Sequence, residues 1–533
     1  MTFIFAMVSP FNYIGSKLNR EYEIPDRDLP KNTQAIMNKL YFFLISAFLL
    51  MLQPQTIYAQ PEAFPEIEEW LSLPDRSVLF EKQPEKIPFV DRNSGREHLI
   101  VIDDRQQMQT IDGFGFALTG GSAEHLVNMS KSARQKILHE MFATDGDNVG
   151  FSYIRLTIGA SDLNSFVFSY NDLPEGETDF ELNHFSLSQD LNDVVPIMNE
   201  ILEINPNILI LGSPWSAPAW MKTHFDVRGG QLREDCYDVY ARYFVKYVQA
   251  MAAEGITIDA ITIQNEPLNS RNTPSMFWLA YQQKNFIKNN LGPALCAAGL
   301  NTKILAFDHN LDRPDYPLSI LNDPDAARYV DGSAFHHYAG DVSAMTDVYN
   351  ARPDKNIYFT EQLIRDRPFG SSEMDIAGNV KRMIVDITRH WSRNVILWNL
   401  AADPDHDPHT DNGGCSICQG AIAIDGDEVE RNVAYYTIAH ASKFVRPGSV
   451  RIASTAPGDR GTVLFEDEQR PNVFRNLPIN AEVLPNVAFK TPDGKIVLVV
   501  VNNTHKTQRC KVQHNGLFAT IEIASGAVGT YVW

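Results

Sequence analysis

Two glutamates in this chain stand where acids are chemically useful. Glu266 lies in Ile261-Thr262-Ile263-Gln264-Asn265-Glu266-Pro267, and Glu361 lies in Ile357-Tyr358-Phe359-Thr360-Glu361. Each closes a short β-branched and aromatic run, the composition of a buried strand. An acid at the open end of such a strand reaches a cleft without entering the core. Two such acids, 95 positions apart, are the minimum equipment for cutting a glycosidic bond. One protonates the leaving oxygen and the other meets the oxocarbenium-like charge. Asn265 and Pro267 suit Glu266 to the acid role, with its pKa expected to rise through burial and the second carboxylate. Arg155 is placed to keep the other glutamate ionised and oriented, as a nucleophile requires.

Two strands of one sheet must aim these acids at one point. From about residue 111 to 445, strand-like runs alternate with amphipathic stretches. The runs are Gly113–Leu118, Tyr153–Ile158, Ile208–Gly212, Ala260–Gln264, Lys303–Phe307, Gly332–His336, Ile357–Thr360 and Val395–Leu400. Helical periodicity marks Leu191–Ile204 and Tyr237–Glu254, where Tyr240, Phe244 and Tyr247 share a face. Eight strand-then-helix units predict an α/β fold, a (β/α)8 TIM barrel, whose site lies at the C-terminal ends of the strands. Those ends are polar and aromatic. The second gives Arg155 and then Asp162, and the third runs into Ser213-Pro214-Trp215-Ser216-Ala217-Pro218-Ala219-Trp220. The fourth gives Asn265 and Glu266, the fifth Asp308-His309-Asn310, and the sixth His336-His337-Tyr338. The seventh gives Glu361, and the eighth Trp398 and Asn399. Indole and phenol rings stack on apolar sugar faces, while Asp and Asn bind hydroxyls.

Each feature has a plainer counterpart. Asn-Glu-Pro also opens helices, where an early acid favours the dipole. Trp215 and Trp220 also fit a barrel core. His336 and His337 also fit a satisfied core pair or, with the acidic tract 403–411, a metal site. The convergence of seven strand ends favours sugar chemistry without metal.

After about Val445 the pattern changes to short alternating strands separated by Pro, Gly and Asn, which predicts an all-β sandwich over 446–533. The segment 60–110 ends in Leu99-Ile100-Val101-Ile102 and is expected to add strands to that sandwich. Residues 37–59 have a basic start at Lys39, an apolar run from Leu40 to Leu52 and a break at Pro54. They predict a cleaved signal peptide and a secreted or periplasmic protein without a stable membrane span. Residues 1–36 then form an upstream extension or a mis-assigned start. A net charge of −20 excludes nucleic acid as the main partner. Five cysteines give no framework, and Cys415-Ser416-Ile417-Cys418 is a lone CxxC, read as a local disulfide or two free thiols.

At these residues the chain resembles glycoside hydrolase family 30, the family of glucosylceramidases and β-1,6-glucanases. The resemblance rests on Gln109-Thr110-Ile111-Asp112-Gly113-Phe114-Gly115, Ile154-Arg155-Leu156-Thr157-Ile158, Ser213-Pro214-Trp215-Ser216-Ala217-Pro218, Gln264-Asn265-Glu266-Pro267, Phe359-Thr360-Glu361 and Leu397-Trp398-Asn399-Leu400. It implies a retaining double displacement with Glu266 as acid/base and Glu361 as nucleophile, and no cofactor. It further implies that Asp162, Trp215, Asn265 and Trp398 hold the glucosyl unit, that Arg155 orients the nucleophile, and that His336 and Tyr338 lie beside the site. Asn399 joins these as a substrate-binding candidate. The reading that follows is an exported, glucosylceramidase-like β-glucosidase, a monomer or homodimer acting on a glucan or glucosyl lipid. The alternatives are an endo-β-1,6-glucanase and a non-catalytic carbohydrate-binding homologue. His337, Phe116, the acidic loop 403–411 and the segment 413–418 depart from glucosylceramidases. They look more like bacterial and β-1,6-glucanase-like members.

Overall fold

A computed structural model describes Lys39 and residues 64–533, apart from 93–97, 188, 366–373, 456–460, 467–473 and 480–482, with strands 461–466 and 474–479 described in backbone alone. The leader expected over 37–59 lies outside the described residues, Lys39 excepted. No helix among those described is long and apolar enough to cross a membrane.

Eight parallel strands form the barrel: Gly113–Leu118, Tyr153–Thr157, Leu209–Ser213, Ala260–Thr262, Lys303–Asn310, Val330–His336, Asn356–Glu361 and Asn394–Asn399. They pair in chain order, and the eighth also pairs with the first. The seventh and eighth meet through a single bridge, Ile357 with Ser392, together with Arg393 N–H donating to Ile357 O (2.9 Å). The second strand lies so close to the first that a Cβ on Gly115 would sit 1.8 Å from Tyr153 O.

Side-chain alternation along the strands explains what the barrel holds. One apolar cluster comprises Tyr153, Leu211, Ala260, Leu305, Ala334, Tyr358 and Ile396, one from each of seven strands. Two residues further along each strand, on the same face, stand Arg155, Ser213, Thr262, His336, Thr360 and Trp398. The polar layer therefore rests directly on an apolar floor. The fifth strand breaks step. Strict alternation from Leu305 would bring Phe307 inward, but Phe307 and Asp308 both adopt positive φ (81° and 67°). The pairing with the sixth strand skips from Phe307 to His309. This bulge sends Phe307 to the outer core and leaves Asp308 with the polar layer.

The helix Tyr237–Ala253 lays Tyr240, Tyr243, Phe244, Tyr247 and Met251 on the barrel as buried residues, and Tyr247 stacks on Tyr170 at 5.7 Å. The helix Val433–Ser442 is buried at every residue, because it packs between the first barrel strand and the β-domain.

That β-domain is a ten-stranded sheet built from both ends of the described chain. Glu66–Ser72 pairs with Val528–Val532, and His98–Thr110 lies between Val450–Ser454 and Gln508–His514. Its two ends meet where Val90 and Phe518 exchange both backbone hydrogen bonds at 2.8 Å, so the sheet folds over its own core as a sandwich. The strand Ile496–Val501 is apolar throughout because both faces are buried. Ile496, Leu498 and Val500 enter the sandwich core, while Val497, Val499 and Val501 face the barrel core.

His440 locks barrel to sandwich. Thr530 Oγ1 donates to His440 O (2.9 Å), so His440 Nδ1 must donate to Thr530 Oγ1 (2.9 Å). Ser72 Oγ accepts from Phe80 N–H (2.8 Å) and donates to His440 Nε2 (2.8 Å). Every partner is satisfied by the neutral imidazole, and burial pushes its pKa down to about 3. The folded value is below the unfolded one, so this contribution is complete above pH ~6.5 and is lost as pH falls from there toward 3. We expect His440→Asn to lower the melting temperature at pH 7. The gap between variant and native protein should narrow between pH 7 and pH 5 in parallel thermal melts, and a constant gap would reject the neutral lock.

Candidate active site

The polar layer is organised around one buried carboxylate. Asp308 Oδ2 accepts from Arg155 Nη2 (2.8 Å) and Thr262 Oγ1 (2.7 Å). Asp308 Oδ1 accepts from Thr360 Oγ1 (2.6 Å) and lies 3.0 Å from His336 Nε2. Burial alone would raise its pKa, but Arg155 and His336 hold it well below the usual carboxylate range. Sequence reading noted Asp308 merely as the polar end of a strand. Its inward turn depends on the bulge, which residue type does not announce.

From this hub Arg155 reaches upward. Its Nη1 donates to Glu361 Oε2 (2.5 Å), its Nη2 also to Asn265 Oδ1 (2.9 Å), and its Nε to Ser213 Oγ (3.1 Å). Tyr338 OH donates to the other Glu361 oxygen (3.0 Å). Glu361 is thus gripped at both oxygens. Glu266 Oε1 lies 3.3 Å from His336 Nδ1 and 3.8 Å from His309 Nε2, and Asn269 Nδ2 donates to Oε2 (2.7 Å). Glu266 has φ +46°, a strained value for a side chain of this kind, and its N–H is tied to Asp308 O (2.9 Å). One oxygen from each glutamate and His336 Nδ1 or Nε2 all fall within 4.8 Å of one another.

A cavity of about 740 Å³ opens above the pair. Of the ten sequence candidates, Asp162, Trp215, Asn265, Glu266, Tyr338, Glu361 and Trp398 line it. Trp215 and Trp398 stack at 5.1 Å, with the Arg155 guanidinium 4.9 Å from the Trp215 ring. Asp162 Oδ1 and Trp215 Nε1 are buried without a protein partner, which makes them an acceptor and a donor left for ligand hydroxyls. Burial pushes the Asp162 carboxyl well up, and both glutamates add to the push.

Three candidates are corrected. Arg155 and His336 are fully buried and do not line the cavity, so they position the acids rather than bind substrate. Asn399 also sits behind the wall. Its Oδ1 accepts from Ser122 Oγ (2.7 Å) and Thr119 Oγ1 (3.1 Å), and its Nδ2 donates to Cys418 O (3.4 Å). Sequence reading placed His309 and Asn310 at a strand end without giving them a role, and it missed the lining residues Asn269, Arg271 and Asn272, although the run after Pro267 is polar enough to have pointed there. Among the described residues, the group close enough to share an ion is Glu266, His336 and Glu361. It contains neither His337 nor the acidic loop, on which the metal alternative relied.

The electrostatics also correct an expectation. Burial pushes Glu266 up, but the hydrogen bond and charge of His336, with His309 and Asn269, hold it down to about 2. His336, which burial alone would lower, is raised to about 9 by Glu361, Asp308 and Glu266. Glu361 is raised, chiefly by burial and further by Glu266, against the opposing pull of His336 and Arg155. Glu266 was expected to be the raised acid. Instead the histidine beside it, drawn up by three carboxylates, holds Glu266 low.

A barrel mouth with two converging carboxylates, an aromatic wall and unpaired hydroxyl-binding atoms defines a glycoside hydrolase. Residues 111–445 match the glycosyl hydrolase family 30 TIM-barrel domain and residues 448–531 the family 30 beta sandwich domain. The chain belongs to glycoside hydrolase family 30. It is 34% identical to an endo-1,6-beta-D-glucanase of Neurospora crassa, over 80% of this chain and 85% of that one. It is 26% identical to the lysosomal acid glucosylceramidase of Mus musculus, over 83% and 84%. The solved structure of an endo-beta1,6-glucanase superposes with a TM-score of 0.77 at 32% identity, covering 88% of this chain and 99% of that one.

Removing the hub charge tests the arrangement. Asp308→Asn removes one of the two buried carboxylates that face Arg155, leaving Glu361, and sets an amide N–H₂ against existing donors. We expect a loss of about 3 kcal/mol or more in denaturant unfolding. A loss under about 1 kcal/mol would show that the polar layer does not depend on Asp308.

Proposed function

We propose that the protein is a retaining endo-β-1,6-glucanase in which Glu361 is the nucleophile and Glu266, paired with His336, is the acid/base. The observation that carries the mechanism is the carboxylate spacing. Oxygens within 4.8 Å suit the separation of about 5–5.5 Å typical of retaining enzymes and leave no room for the water that inversion needs. Glu361, with both oxygens held, attacks the anomeric carbon. As the bond to the leaving oxygen breaks, the proton shared by His336 Nδ1 and Glu266 Oε1 moves through Glu266 to that oxygen. The product of this step is a glycosyl ester on Glu361. Water then attacks the same carbon, Glu266 accepts its proton, and the original anomeric configuration is restored.

For the substrate, sequence reading set a glucosylceramidase-like β-glucosidase first and an endo-β-1,6-glucanase second. Two observations support the second. Beyond the acids and the aromatic wall the cavity is lined by Asn269, Ser270, Arg271, Asn272 and Asn310, with Leu268 and Leu363 as aliphatic neighbours. Such a surface suits sugar hydroxyls better than the paired hydrocarbon chains of a ceramide. The similarity to the fungal glucanase is also greater than that to the mouse glucosylceramidase. We propose further that the protein acts outside the cytoplasm, which the apolar run 40–52 supports.

Purified protein given β-1,6-glucan, β-1,3-glucan and glucosylceramide in detergent should release oligosaccharides from the first. A preference for glucosylceramide would restore the original order.

Glu361→Ala should lower kcat on the order of 10⁴-fold or more. Azide should restore turnover and give a glycosyl azide of inverted configuration. Unimpaired hydrolysis by that variant would remove Glu361 from the mechanism.

The pH profile follows from the same groups. Activity needs Glu361 ionised and a proton on the His336–Glu266 pair. It should therefore fall as pH drops through a value above the ordinary glutamate pKa of about 4.3, and fall again as pH rises through about 9. In His336→Asn the alkaline limb of kcat/KM should move down by more than one pH unit, and an unmoved limb would show that His336 does not hold the proton.

A further inference from the structure

The lone CxxC of the sequence is a disulfide, Cys415–Cys418, and both residues line the catalytic cavity. Cys418 is buried in an apolar cluster with Trp215, Trp398, Ala117 and Leu163, and Cys415 packs against that cluster. We propose that this disulfide is a specificity-determining brace, which holds segment 410–418 as one rigid wall of the sugar-binding end of the cavity. This rests on the reading of the cavity as a sugar site, but not on which glucan fills it.

The segment is pinned at both ends, and between them it is held by two internal backbone hydrogen bonds, Gly414 N–H to Thr410 O (3.1 Å) and Cys418 N–H to Cys415 O (3.4 Å). At its start, Thr410 N–H donates to Asp162 O (3.0 Å), Thr410 Oγ1 to Thr273 O (2.5 Å), and Thr273 Oγ1 to Asn412 O (2.7 Å). These bonds clasp the loop after the eighth strand to the loops after the second and the fourth. At its end, Cys418 O accepts from Asn399 Nδ2 (3.4 Å), beside Trp398. Between the pins the backbone passes through two tight points. Gly413 has φ +128°, and a Cβ there would lie 2.5 Å from Arg271 O. A Cβ on Gly414 would lie 2.2 Å from Thr410 O. The tip carries Ile417, 48% exposed, so burial does not fix the turn. The covalent link does, with one long backbone hydrogen bond from Cys418 N–H to Cys415 O (3.4 Å) beside it.

Neither glutamate belongs to this wall. Glu361 is gripped by Arg155 and Tyr338, and Glu266 by His336 and Asn269. Loosening the wall should therefore disturb sugar binding by Asp162, Trp215 and Trp398 before it disturbs bond cleavage.

The experiment compares native protein with Cys415→Ser/Cys418→Ser, using an aryl β-glucoside and β-1,6-glucan. Native protein is also assayed after treatment with dithiothreitol. Two electrons and two protons from that reagent convert the cystine to two thiols, while the reagent closes to its cyclic disulfide. Cys236, Cys296 and Cys510 are already free thiols, so reduction has one target. We expect KM for the aryl glucoside to rise about 5-fold or more in both cases, with a smaller effect on kcat, and reoxidation to restore it in the native protein. Unchanged KM in both would overturn the proposal, as would a fall in kcat alone. If the double variant does not fold, the reduced native protein decides the result. If native protein cleaves the aryl glucoside but not β-1,6-glucan, the glucanase reading fails while the KM comparison still tests the brace.

Discussion

A charged network that water cannot reach sets the terms for this site. Arg155 and Asp308 are fully buried 2.8 Å apart, and neither could be left alone there. An isolated buried ion costs several kcal/mol, and a pair recovers that only when its remaining donors and acceptors are met. Here they are met by neighbours from four strands: Ser213, Thr262, His336, and both Thr360 and Glu361. The need to satisfy one arginine thus fixes the strand ends relative to one another. The nucleophile candidate is held by the same guanidinium, so a shift of any strand would be felt at Glu361.

Much of the barrel was legible because periodicity carries it. All eight strands were placed from alternating apolar runs, with ends shifted by at most three residues. The acids were legible for the same reason, since a polar residue closing an apolar run has few places to go but the rim. What escaped reading depends on departures from regularity. Asp308 turns inward because two successive residues take positive φ, a choice that residue type does not force. Asn399 was misjudged because inward and rim-facing positions at the end of one strand differ by a single residue. Trp398 faces the cavity, while Asn399 holds the neighbouring loops together. The strand Glu66–Ser72 was hidden by its charges, which suit its place near the sheet end.

The sandwich has a mechanical role that its distance from the acids conceals. Strand Ile496–Val501 divides its side chains between two cores, and His440 ties the last barrel helix to the first and last strands of the sheet. The first barrel strand packs on that helix and pairs with the eighth, which carries Trp398. Anchoring that helix therefore supports the barrel where its hydrogen bonding is thinnest, between the seventh and eighth strands. Those are the strands that bear Glu361 and Trp398.

The proton balance ties these observations to turnover. Arg155 and protonated His336 face Asp308, Glu266 and Glu361, two positive charges against three negative. In that resting site His336 holds its second proton firmly, because Glu361 and Asp308 both draw it there. Forming a glycosyl ester on Glu361 would remove one of those two charges at a stroke. In the proposed mechanism the Nδ1 proton has by then passed through Glu266 to the leaving group, which leaves His336 neutral with its remaining N–H toward Asp308. The same contact, 3.3 Å between Nδ1 and Oε1, would let the proton that Glu266 takes from water in the second step return to the histidine. Asp308 is 3.0 Å from the other ring nitrogen and stays ionised throughout, so it alone among the carboxylates has a constant charge. Under the proposed mechanism, that constancy would let Glu266 act as an acid in the first step and a base in the second without a change in the surrounding structure.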